Sequence, residues 1–269
     1  MLDLILKAAV EAGKEILKVY NRDDFNVSFK EDASPLTDAD VNSHNVIMRY
    51  LKQTGIPVLS EEGASIQYEE RKDWKRLWIV DPLDGTKEFV KRGGDFTVNI
   101  ALVENNHTTM GVVFAPWLGH LYWGSEQGAF FADLGNGWEA KDDMSYEKYA
   151  VSIPEQLPET FTVVASKSHL SEDTKQFVER VREKVGGIEF SSIGSSLKMC
   201  LVAAGKAHLY PRLGPTMEWD TAAGQAVVEA AGGVLIDLST NERMRYNRKE
   251  LLNNYFLVAA SGVDANVFL

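Results

Sequence analysis

The stretch Trp78-Ile79-Val80-Asp81-Pro82-Leu83-Asp84-Gly85-Thr86-Lys87-Glu88-Phe89 runs an apolar strand directly into two carboxylates three residues apart. Asp81 ends the strand, Pro82 stiffens the bend through its fixed φ, and Gly85 lets the backbone approach closely. Acids at i and i+3 of such a turn can converge on one point, as the oxygen ligands of magnesium do. A lone Asp-x-x-Asp is also an ordinary strand-to-helix turn with Asp84 as N-cap. Two further features weigh against that plain alternative. Glu61-Glu62 is a second acidic pair, following Pro57-Val58-Leu59-Ser60 at another strand end, and Glu218-Trp219-Asp220-Thr221-Ala222-Ala223-Gly224 sets another carboxylate at a helix start.

Outward from this stretch, Ile5, Ala9, Ala12, Ile16 and Val19 fall at helical spacing and predict an N-terminal amphipathic helix. Ser34-Pro35 breaks the chain, and a second helix follows with Val41, Ile47, Met48 and Leu51 on one side and Gly55 as its stop. Short β-rich segments at 56–59, 77–80, 97–103, 111–115, 121–124 and 128–134 predict a mainly antiparallel sheet with helices before it. Residues 136–160 are polar and contain Pro154 and Pro158, which places the division there and gives an N-terminal α+β domain over 1–145. Beyond it, strands at 161–165, 187–190, 207–210, 234–238 and 256–260 interleave with helices at 172–185, 195–204 and 221–231. That alternation makes 146–269 an α/β domain.

Composition narrows the function. With 45% hydrophobic and 25% charged residues over 269 positions, the chain has the means to bury a sizeable core. A net charge of −11 argues against nucleic-acid polymers, which are gripped by clustered Lys and Arg, and against stable binding to anionic lipid. If the substrate is an anion, a cation must be recruited locally to offset that field. The single cysteine, Cys200, forbids an intramolecular disulfide or a cysteine zinc site, and its neighbours Leu197, Met199, Leu201 and Val202 predict a buried thiol. The start Met1-Leu2-Asp3-Leu4-Ile5-Leu6-Lys7 lacks a basic n-region, and no apolar run is long enough to span a bilayer, so a cytoplasmic location is expected.

Taken together, the acidic pair after a strand, the Asp-Pro-Leu-Asp-Gly-Thr segment and the later Trp-Asp-x-Ala-Ala-Gly segment resemble the inositol monophosphatase-like, lithium-sensitive phosphatase superfamily, in order and over nearly the whole chain. The resemblance implies a layered αβαβα sandwich, dependence on two or three Mg²⁺ ions and inhibition by lithium. It also implies metal ligation by Glu61, Asp81, Asp84 and Asp220 with the backbone carbonyl of Leu83, the attacking water being oriented by Thr86. The family's upstream acidic position, tied to water activation, maps onto Asp40 in Thr37-Asp38-Ala39-Asp40, with Asp38 its close alternative. Like charges ~4 Å apart repel by about 4 kcal/mol at an effective dielectric near 20, so such a cluster needs cations. Metal-assisted phosphoryl transfer to water, in a cleft between the two halves, is the chemistry expected.

Finer detail points to one branch. The inositol phosphatases continue Asp-Gly-Thr with Thr-Asn-Phe, whereas Lys87-Glu88-Phe89 stands here, followed by Val90-Lys91-Arg92-Gly93-Gly94-Asp95-Phe96-Thr97-Val98-Asn99. With Ser166-Lys167-Ser168-His169, Gly194-Ser195-Ser196-Leu197-Lys198 and Tyr210-Pro211-Arg212, this is similar to the bacterial CysQ-type 3′(2′),5′-bisphosphate nucleotidases. That branch implies hydrolysis of 3′-phosphoadenosine 5′-phosphate to AMP and phosphate, a small-molecule nucleotide partner. Gly85 and Thr86 would lie at the scissile phosphate. Lys198 and Arg212, with Ser195 at a helix start and His169, would face the remote phosphate and the nucleotide. A phosphatase for inositol or sugar phosphates is the rival within the superfamily, and a catalytically inactive binding regulator the rival outside it. Homodimer and monomer both stay open.

Overall fold

A computed structural model of the chain describes residues 1–23, 27–29, 35–63, 66–140, 146–166 and 171–269. Ser34, the 167–169 segment and His169 with it, and part of the polar stretch 136–160 lie outside the described residues. Helix α1 (Leu2–Tyr20) is followed by a short antiparallel pair, β1 (Val27–Phe29) and β2 (Pro35–Thr37), and by α2 (Asp38–Leu51). Thr37 caps α2, its Oγ1 accepting the Ala39 N–H at 3.2 Å, and Gly55 sits in the left-handed region just beyond the helix at φ 66°. Ala39, Ser43, Val46, Ile47 and Leu51 form its buried stripe. Val41, expected on that side, is exposed: it lies two positions after Ala39, on the far side of the helix.

The chain then lays down β3 (Val58–Ser60), α3 (Tyr68–Arg71), β4 (Arg76–Asp84), α4 (Thr86–Val90), β5 (Thr97–Glu104), β6 (His107–Ala115), β7 (His120–Ser125) and β8 (Gly128–Asp133). With β9 (Ala150–Ile153), which comes after residue 145 and pairs with β8, the strands form a seven-stranded sheet in sequential order. Every pairing in it is antiparallel except β3 with β4. The second sheet comprises β10 (Thr162–Ser166), β11 (Glu189–Ile193), β12 (Leu209–Arg212), β13 (Val234–Asp237), β14 (Glu242–Arg243) and β15 (Phe256–Ala259). Its order is β11-β10-β12-β15-β13-β14, parallel among the first three and antiparallel beyond them. Helices α5 (Glu172–Val185), α6 (Leu197–Ala203) and α7 (Glu218–Ala230) complete the α/β half.

Strand parity sorts these elements into layers. Trp78, Val80, Val98, Ile100, Leu102, Val112 and Phe114 point toward α1 and α2. The alternate residues Leu77, Ile79, Ala101, Val103, Val113 and Ala115 point the other way, into a core built with α6, α7 and the near face of the second sheet. The far face of that sheet, through Val163, Leu209, Leu257 and Ala259, buries Phe177, Val178 and Val181 of α5. The result is the five-layer αβαβα arrangement. β4 is buried on both faces, which is why it reads as a continuous apolar run. No helix among the described residues is long and apolar enough to cross a membrane.

Helix α7 is seated unusually close to the first sheet because Gly111 and Gly124, direct cross-strand partners on β6 and β7, lie beneath it. A Cβ on Gly111 would stand 2.8 Å from the Ala223 carbonyl oxygen, and one on Gly124 would stand 2.5 Å from that of Ala226. Helix backbone cannot swing aside as a side chain can, so added volume must displace the helix. Gly124→Ala is therefore expected to lower stability by about 1–3 kcal/mol. Chemical denaturation measures this, and an unchanged midpoint would mean that the helix can ride over a methyl group.

Candidate active site

Parity also aims the first acid. Asp81 continues the series Leu77, Ile79 on the face that α7 covers, and a register shift between Asp81 and Asp84 then turns the strand so that Asp84 joins it. Because β3 runs parallel beside β4, the turn after β3 brings Glu61 alongside, close enough for a side-chain hydrogen bond with Asp81. Asp220 arrives from the opposite layer, in the first turn of α7. Carboxylate oxygens of Asp81, Asp84 and Asp220 all lie within 4.8 Å of one another. The helix carrying Asp220 starts at Glu218, three residues before the expected start. The acid is thus inside the first turn rather than capping it.

One oxygen of each aspartate is held by a local donor. Asp81 Oδ1 accepts the Leu83 N–H at 3.0 Å, and Asp220 Oδ2 accepts the Met217 N–H at 2.8 Å. Asp84 Oδ2 accepts both the N–H and the Oγ–H of Ser196, at 2.7 and 2.8 Å. Asp40 Oδ2 accepts from the N–H and hydroxyl of Thr37 at 2.8 and 2.7 Å, the reach-back of a capping box. Its Oδ1 lies 3.2 Å from Thr86 Oγ1, which is also 3.2 Å from the Leu83 carbonyl oxygen. Asp40 and Thr86, each expected on separate grounds to act on the attacking water, are thus in direct contact. Asp38 instead faces outward, 3.8 Å from the Arg22 guanidinium. Gly85, at φ 91°, leaves no room for a Cβ, which would meet the Asp95 carbonyl oxygen at 2.9 Å.

Burial, reinforced by the charges of Glu61, Asp84 and Asp220, pushes the Asp81 carboxyl well above its usual range. Burial and the charge of Asp84 do the same to Asp220. An all-oxygen donor set with one oxygen of each aspartate tethered fits Mg²⁺, a hard cation that would relieve this repulsion.

The acids form one wall of a cleft of about 280 Å³ between the two sheets, lined on its other side by Ser195, Lys198, Tyr210 and Arg212, with Lys87 at the rim. Lys198 is buried; its Nζ donates to the carbonyls of Ser195 at 2.5 Å and Ile193 at 3.4 Å and stands 5.5 Å from the centroid of the Tyr210 ring. Burial pushes its amine down to about 8, against the pull of Asp84. Arg212 donates from Nη2 to the Pro215 carbonyl at 2.9 Å, while its Nε has no hydrogen-bond partner among the described residues. Ser195 does not open the helix as expected. It lies two residues ahead of α6 at φ 47°, because Ser196 gives its N–H to Asp84 and the helix begins only after it. Cys200 is a buried free thiol, raised by burial above its usual range.

Two groups that shape the cleft escaped the sequence. Ser196 and Asn99 connect the halves behind Asp84; the only signal for Asn99 was its place on the same strand face as Thr97 and Ala101. Glu218, fully buried, accepts the N–H groups of Asn247 and Arg248 at 2.7 and 3.0 Å and the Arg248 Nε at 3.2 Å. Arg71 donates to Asn247 Oδ1, the Arg248 carbonyl and the Lys249 carbonyl at 2.9, 2.7 and 3.1 Å. The 247–249 turn thus ties α3 of the first half to the start of α7. Nothing in a plain Glu-Trp-Asp triplet marks its first acid as the anchor.

Residues 1–266 match the model of the Inositol monophosphatase family. The chain is 42% identical to the 3′(2′),5′-bisphosphate nucleotidase CysQ of Escherichia coli (strain K12) over 262 residues, 96% of this chain and 99% of the relative. The corresponding protein of Buchnera aphidicola is 40% identical over 266 residues, 97% of this chain and 94% of the relative. Among solved structures, CysQ from Bacteroides thetaiotaomicron, described as a bacterial member of the inositol monophosphatase family, superposes with a TM-score of 0.86 at 42% identity, covering 97% of each chain. The IMPase of Thermotoga maritima superposes at 0.73 with 26% identity, covering 99% of this chain and 94% of that one. By sequence, by layer order and by the acids at its cleft, the chain belongs to the inositol monophosphatase family.

Proposed function

We propose that this protein is a magnesium-dependent 3′(2′),5′-bisphosphate nucleotidase that hydrolyses 3′-phosphoadenosine 5′-phosphate to AMP and phosphate. The observation that carries this is one cleft with two unlike ends: an oxygen-only carboxylate cluster facing a separate pair of cations, Lys198 and Arg212. A substrate with one phosphate needs only the first end, and a bisphosphate uses both. The nucleotidase relatives, matched over nearly their whole length, support the same activity.

Glu61, Asp81, Asp84, Asp220 and the Leu83 carbonyl would hold two or three Mg²⁺ ions, which would supply charge neutralisation at the scissile phosphate and a lowered pKa for water. Thr86 donates its hydroxyl proton to Asp40, so its own lone pairs face the attacking water and fix its orientation. Glu61, beside Asp81, accepts a proton from that water. The P–O bond to the 3′ oxygen breaks as the water oxygen bonds to phosphorus, and the departing 3′ oxygen takes a proton from solvent to give AMP. Lys198 and Arg212 hold the remote phosphate, the arginine through an Nε–H that has no partner among the described residues. His169 we place near the nucleotide.

Phosphate release from 3′-phosphoadenosine 5′-phosphate and from inositol 1-phosphate, measured side by side, should show strong preference for the nucleotide and loss of both activities in EDTA. Preference for the inositol ester would keep the metal cluster but overturn the role of Lys198 and Arg212. Asp84→Asn should cut turnover by at least about a hundredfold. Its unfolding temperature in EDTA should hold or rise, since one of several mutually repelling charges has gone. Near-normal turnover would remove Asp84 from the ligand set. Lys198 is charged below about 8 and neutral above it. The kcat/KM for the bisphosphate should therefore fall as pH passes through that range, and Lys198→Met should abolish that limb. An identical limb in the Met variant would assign it to another group.

A further inference from the structure

We infer that Asn99 and Ser196 are positioning residues that form a hydrogen-bonded relay across the two halves of the chain, fixing Asp84 so that it offers a single oxygen to a metal ion. The inference rests on the magnesium reading given above. Asn99 and Ser196 are both buried, 1% and 3% exposed, directly behind the acid cluster. Asn99 Nδ2 lies 2.9 Å from Ser196 Oγ, and Ser196 Oγ lies 2.8 Å from both Asp84 Oδ2 and the Asp220 carbonyl oxygen. Carboxylate and carbonyl oxygens can only accept, and at equal distance the one hydroxyl proton of Ser196 goes to the charged acceptor, Asp84 Oδ2, rather than to the neutral Asp220 carbonyl. Asn99 must then be the donor to Ser196.

That assignment leaves the Asn99 amide oxygen buried with no partner among the described residues. A buried amide with one end unsatisfied is costly, and an apolar residue would pack there without the cost. The Asn99 N–H is what the position retains, and among the described residues its partner is the Ser196 hydroxyl, which it orients. The Ser196 N–H adds a second bond to the same oxygen of Asp84 at 2.7 Å. Oδ2 is thereby occupied by two donors and Oδ1 is left for the cation, with its direction set. The chain supplies the geometry as well: Asn99 is the cross-strand partner of Asp81, so the relay starts directly opposite one ligand, passes through the second half and ends on another. Ser196 also touches the backbone of the residue that provides the third. A shift of either half would be felt at all three.

The test is calorimetric Mg²⁺ binding to the full chain without substrate, on wild type, Ser196→Ala, Asn99→Ala, the double variant and Asp84→Asn. Loss of an outer partner of a ligand typically weakens metal affinity roughly 10–100-fold, so Ser196→Ala should raise the Mg²⁺ dissociation constant at least about tenfold. The half-saturating Mg²⁺ for turnover should rise in step, and KM for the bisphosphate at saturating Mg²⁺ should stay put. Asn99→Ala should weaken Mg²⁺ in the wild-type background and add nothing in the Ser196→Ala background, because it acts through that hydroxyl. Unfolding temperatures in EDTA check that each variant is folded, and Asn99→Ala carries the same expectation if Ser196→Ala is not. Wild-type Mg²⁺ affinity in Ser196→Ala, or equal effects of Asn99→Ala in both backgrounds, overturns the relay while leaving the cluster intact. Absence of Mg²⁺ uptake by wild type, with Asp84→Asn indistinguishable from it, overturns the metal reading and the relay together.

Discussion

Mutual repulsion among acids drawn from both halves of the chain is the constraint that the rest of this molecule answers. Asp81 and Asp84 come from one strand of the first sheet, Glu61 from the turn after the neighbouring strand and Asp220 from a helix of the opposite half. Left to themselves, such groups would spread into solvent, and burial makes the conflict worse by raising the cost of each charge. Each aspartate is prevented from turning away by a donor on one of its oxygens: the Leu83 N–H, the Ser196 N–H and hydroxyl, or the Met217 N–H. These bonds are strong because the acceptor is charged, and all but the Ser196 hydroxyl come from backbone, which cannot rotate out of place. A carboxylate so tethered keeps its free oxygen aimed whether or not a cation is present.

Packing supplies the force that keeps the halves pressed together against that repulsion. The core shared by the first sheet, α6, α7 and the second sheet is continuous, so the cleft is a gap in one interior rather than a hinge between two. Gly111 and Gly124 let α7 lie almost in backbone contact with β6 and β7, and the Glu218–Arg248 pair and Arg71 lock its first turn to the 247–249 turn. Buried ion pairs of this kind add little net stability, but breaking one leaves an uncompensated charge, which makes the geometry hard to deform. Asp220 inherits that rigidity from its neighbour two residues earlier.

The charge layout also reconciles an acidic protein with an anionic substrate. A net charge of −11 repels phosphate at long range, yet the cleft carries Lys198, Arg212 and the rim residue Lys87 opposite the carboxylates. Burial lowers the basicity of Lys198, so its charge is held partly by the carbonyls of Ser195 and Ile193 until a phosphate offers a better partner. The left-handed turn at Ser195 is what brings those carbonyls into reach.

Local sequence determined a good deal. The apolar run into Asp81, the turn residues Pro82 and Gly85, the helical spacing from Ile5 to Val19 and the order of the acidic segments carried the family, the layer type and the acids at the cleft, because strand ends, turns and caps are properties of a few adjacent residues. Where neighbours in sequence were insufficient, the error followed from tertiary choice: Val41 sits on the wrong side of α2, and Ser195 stands outside its helix because Ser196 binds an acid more than a hundred residues away. Only the fold could decide that Asp40 and not Asp38 touches Thr86, that Glu218 is an anchor, and that Asn99 reaches Asp84 through Ser196. Those roles depend on which side chains meet across layers and on which hydrogen bonds remain once each donor has a single partner. No spacing along the chain encodes either.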